Sequence, residues 1–92
     1  MSPELEAEAL IGDEAEAFMR SDLGRILVGM AQQEAAEALH EIKTAPAADS
    51  EKMRDLQTRI WRAESFEEWL RELVDRGQQA IAALQHEDST DE

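Results

Sequence analysis

Between residues 53 and 84, apolar side chains recur in alternating steps of three and four. The register runs Met53, Leu56, Ile60, Ala63, Glu67, Leu70, Val74, Gly77, Ile81 and Leu84. Only Glu67 breaks its apolar character, and Gly77 softens it. Such spacing marks one face of a helix turning every 3.6 residues, and it predicts a helix over 50–85. Phe66, Leu73 and Ala80 widen the stripe on one side. A second periodic stretch covers residues 22–43, with bulky Leu23, Ile26, Leu27 and Met30 early and Ala31, Ala35, Ala38 and Ile42 later. Alanines at that spacing let a neighbouring helix approach closely, because little side chain holds the axes apart. Gly24 and Gly29, inside the same pattern, also suggest close packing.

The stretch "TAPAADS" separates the two patterns. Pro46 disfavours helix at Ala45, and Asp49 or Ser50 can cap the second of the two helices. A link this short implies antiparallel neighbours. Upstream, Ser2-Pro3-Glu4 has the order of a helix start: cap, proline at the first helical position, acid in the first turn. That first helix is expected to span about 3–11 and to stop at Gly12. Asp13 with Glu16 resembles a capping box that opens a helix over 14–43, with a break or kink near Ser21 left open. A helix over 50–85 would be roughly 50 Å long and would outrun its partner. The expected fold is therefore all-α: an antiparallel two-helix hairpin with a short N-terminal helical segment, completed by oligomerisation. Residues 1–85 are read as one domain and 86–92 as a flexible acidic tail.

Composition supports this reading. Ala, Glu, Leu, Gln and Arg dominate; tyrosine is absent and no alternating run suggests a strand. Twenty-two acidic residues stand against nine basic ones, a formal charge of -13. That charge argues against direct binding of nucleic acid or an anionic membrane. It leaves open a basic protein partner or imitation of DNA by charge. With no cysteine, disulfides and thiolate metal sites are excluded. The N-terminal stretch is acidic, and no apolar run reaches membrane-spanning length. The expected location is the cytoplasm of a host cell, with the virion as an alternative.

Two tryptophans lie eight residues apart, in "RIWRAESFEEWL". On a helical wheel Trp69 falls at the edge of the seam beside Phe66 and Leu73, so a widened core accounts for it. Trp61 falls well off the seam, among Gln57, Glu64, Ser65 and Glu68. Either it lies along neighbouring stems under the N-terminal segment, or it anchors a partner, as interface tryptophans often do. The candidate partner-binding residues are Trp61, Phe66, Trp69 and Leu73, with Phe18 packing nearby.

Candidate chemistry is sparse. Glu37 and His40, three apart in "EAAEALHE", have the spacing used by helical di-iron bundles, with Glu34, Glu41, Glu64 or Glu67 as further carboxylates. In a chain this rich in Glu the pairing arises readily by chance, and a surface histidine near a helix C-terminus is the plainer reading. His86 lies among tail acids, and no nucleophile–base arrangement or glycine-rich phosphate loop is present. No enzyme, catalytic residue or cofactor is expected.

"AEAFMRSDLGRILVGMAQQEAAEAL" and, after the loop, "LQTRIWRAESFEEWLRELVDRGQQA" resemble small helical proteins of tailed bacteriophages and prophages. The likeness covers residues 15–80, and its specific parts are Phe-x-x-Ser-x-Leu-Gly-Arg from Phe18 to Arg25 and Leu-Gln at Leu56. It implies a place among DNA-packaging and head-assembly genes, and no catalytic residues. Pattern and resemblance together predict a non-enzymatic assembly protein that binds itself and another virion or assembly protein. An acidic inhibitor of a host nucleic-acid-binding or defence protein is the alternative, and a small helical metal protein the second.

Overall fold

A computed structural model describes residues 2–90, with the side chains of 88–90 left aside. Among these residues the chain forms three α-helices and no strand: α1 (Pro3–Arg20), α2 (Asp22–Thr44) and α3 (Ser50–Thr90). The all-α expectation holds, and the helix boundaries differ in instructive ways.

α1 opens as the sequence predicts. Ser2 adopts an extended backbone and its hydroxyl accepts the Leu5 N–H at 3.3 Å, with Pro3 at the first helical position and Glu4 and Glu6 in the first turn. The expected stop at Gly12, and the new start at Asp13, are not found. α1 continues through both to Arg20. It ends at Ser21, whose extended backbone breaks the helix and whose N–H donates to the Ala17 and Phe18 carbonyls at 3.0 and 3.1 Å. The Ser21 hydroxyl also donates to the Phe18 carbonyl, tightening the last turn.

The loop at residues 45–49 is the predicted one. Asp49 caps α3, its carboxylate accepting the Lys52 N–H at 3.1 Å. α3 then runs 41 residues, past the expected end at 85 and into the segment read as a tail. At 1.5 Å per residue it is roughly 60 Å long. Asp91 and Glu92 lie outside the described residues.

The chain gathers into two compact units: a central one, Asp22–Glu68, and a terminal one, Met1–Ser21 with Trp69–Glu92. In the central unit α2 lies antiparallel to the first half of α3, since Glu41 and Glu34 both reach Arg59 while Gln32 reaches Glu67. Ala38 and Leu56 are its buried apolar residues, and Ala31, Ala35, Ile60 and Ala63 are half-buried. The predicted small-residue face of α2 is thus the face turned inward. Gly24 is buried as well, whereas Gly29 is exposed, with nothing within 4 Å of the place a Cβ would take.

The terminal unit explains why α1 does not stop at Gly12. A Cβ on Gly12 would lie 2.7 Å from Gly77 Cα and 3.0 Å from the Leu73 carbonyl oxygen. A Cβ on Gly77 would lie 2.7 Å from Gly12 Cα and 3.2 Å from the Glu8 carbonyl oxygen. Each glycine therefore faces the other and the carbonyl four residues before it, a nearly two-fold crossing of antiparallel backbones. Gly12 is a contact residue inside a continuous helix, which corrects the helix-ending role expected for it. Ala15 and Ala80 are buried beside the crossing.

Gly77→Ala tests this contact. The gain in helix propensity is about 1 kcal/mol. Overpacking against backbone, which cannot rotate away, costs about 1–3 kcal/mol. The expected outcome is a lower urea midpoint, with α1 released from α3 first. A variant at least as stable as the parent would show that the crossing does not hold α1.

Candidate interaction surface

The fully buried apolar positions are mostly small residues, and, Leu56 apart, the large apolar ones divide between half-buried and exposed positions. The buried apolar side chains among the described residues are Ala15, Ala38, Leu56 and Ala80. Exposed large ones include Leu10, Ile11, Trp69 and Ile81 in the terminal unit, and Leu23, Ile26, Met30, Leu39 and Trp61 in the central one. Where helices meet through glycine and alanine, the buried strip is narrow, and bulky side chains at its edges stay in solvent.

That geometry corrects the account of Trp69. A widened core would cover it, yet it is 58% exposed. Trp61, expected off the seam, is 63% exposed. Behind it Ser65 is buried, its hydroxyl donating to the Trp61 carbonyl at 2.7 Å, so this polar group carries no unmet hydrogen bond. Phe66 in the central unit, and Phe18 and Leu73 in the terminal one, are half-buried. Of the five candidate contact residues, the two tryptophans are therefore the ones most open to a partner.

α2 carries an exposed stripe not singled out from the sequence. Leu23, Ile26 and Met30 are 59%, 59% and 61% exposed and succeed one another at steps of three and four, on one side of the helix. The sequence does hold the signal: α2 has two apolar stripes, one of large residues and one of alanines, and a single neighbour can cover only one.

Electrostatics within the central unit centre on Arg59. Its Nε donates to Glu34 Oε1 at 2.8 Å, and Nη1 lies 3.6 Å from Glu41 Oε2. The hydrogen bond from Arg59, and then its charge, hold the Glu34 carboxyl below the usual carboxylate range. The same bond raises Arg59. Gln32 adds a second link between the helices, donating to Glu67 at 2.9 Å. Elsewhere, Arg20 with Glu16 and Arg76 with Glu72 form exposed pairs one turn apart.

A shallow groove beside Gln33, Ala36 and Glu41 contains Glu37 and His40. Among the described residues no three His, Asp or Glu come together as a metal ligand set. Glu34 and Glu41 are turned to Arg59, and Glu37 accepts from Gln33 at 3.1 Å. Nor is any helix of the described residues long and apolar enough to cross a membrane.

No family model, curated protein or solved structure matches the chain.

Because Glu34 is depressed in the folded state, its contribution to stability is present above its unfolded value. It is lost as pH falls through the lower native one. In Arg59→Gln, the Glu34 carboxyl titration monitored by NMR is expected to move upward into the usual carboxylate range. An unmoved midpoint would remove Arg59 as the cause.

Proposed function

We propose that this chain is a non-enzymatic structural or assembly protein that works by helix-to-helix contact. The observation that carries this reading is the set of large apolar side chains left exposed, Trp61, Trp69, Leu23, Ile26 and Met30. Single exposed apolar residues are ordinary, but large ones in register along a helix mark a surface meant to be covered. The chain acts as an antiparallel helical hairpin with an N-terminal helical segment, completed by oligomerisation. Trp61 and Trp69, supported by Phe66, Leu73 and Phe18, present aromatic anchors to a second assembly protein. The resemblance of residues 15–80 to small phage proteins supplies the context: virion morphogenesis in the cytoplasm of a host cell.

The formal charge of -13 favours one other reading, an acidic protein that imitates nucleic acid toward a basic host target. Salt separates the two, because charge-based binding weakens steeply as ions screen it while apolar packing barely responds. Light scattering of the purified chain across concentration and ionic strength is expected to show a mass above the monomer that persists in high salt. A monomer at every concentration, unfolding in one cooperative step, would sink the assembly reading.

A further inference from the structure

We draw no further inference here: the strongest candidate, the exposed apolar stripe of α2 formed by Leu23, Ile26 and Met30, is an unpartnered helix face, and nothing in the structure shows what covers it.

Discussion

The contact between Gly12 and Gly77 sets the terms for the terminal unit. Two antiparallel helices touch backbone to backbone, with each glycine aimed at the carbonyl four residues before the other. Such closeness favours dispersion and weak Cα–H···O contacts, which need no side chain at all. It also fixes which side chains can lie beside it. Ala15 and Ala80 are buried in the same unit, while Trp69 stays exposed. The central unit obeys a looser version of the rule, with Ala38 fully buried and Ala31, Ala35 and Ala63 lining the seam.

An interior of this kind is poor in hydrophobic free energy. Burying one methyl-sized group is worth about 0.8 kcal/mol, against about 1.5–3 for a leucine, isoleucine or phenylalanine. Leu56 is the one such large side chain buried among the described residues. The large apolar groups left exposed, Trp61, Trp69, Leu23, Ile26 and Met30 among them, retain their capacity to drive association. Polar links fill part of the gap. Arg59 ties α2 to α3 through Glu34 and Glu41.

Legibility from sequence is uneven, and the failures share a cause. The capped start at Ser2 and Pro3, the loop closed by Asp49, and the seam from Met53 to Leu84 are readable because each depends on neighbours within a few residues. Gly12 misleads because glycine has two uses in helices, as a terminator and as a place of close approach. Local sequence cannot separate them; the position of Gly77, 65 residues away, decides. Trp69 misleads for a related reason, since the wheel gives the direction of a side chain and not the depth of the strip beside it. For Trp61, direction alone is sufficient to place it off the seam.

The chain by itself determined that it would be helical, where the second and third helices would be divided, which residues would share a face, and how strongly acidic the surface would be. These are matters of propensity, capping and period, settled within a turn or two of helix. Which of the two apolar stripes on α2 turned inward was decided by tertiary structure, because small residues permit the closer approach and the larger ones were left outside. The continuity of α1 through Gly12, the exposure of Trp69 and the emptiness around Gly29 were decided the same way. Each depends on how near two backbones come, a distance that no single helix specifies.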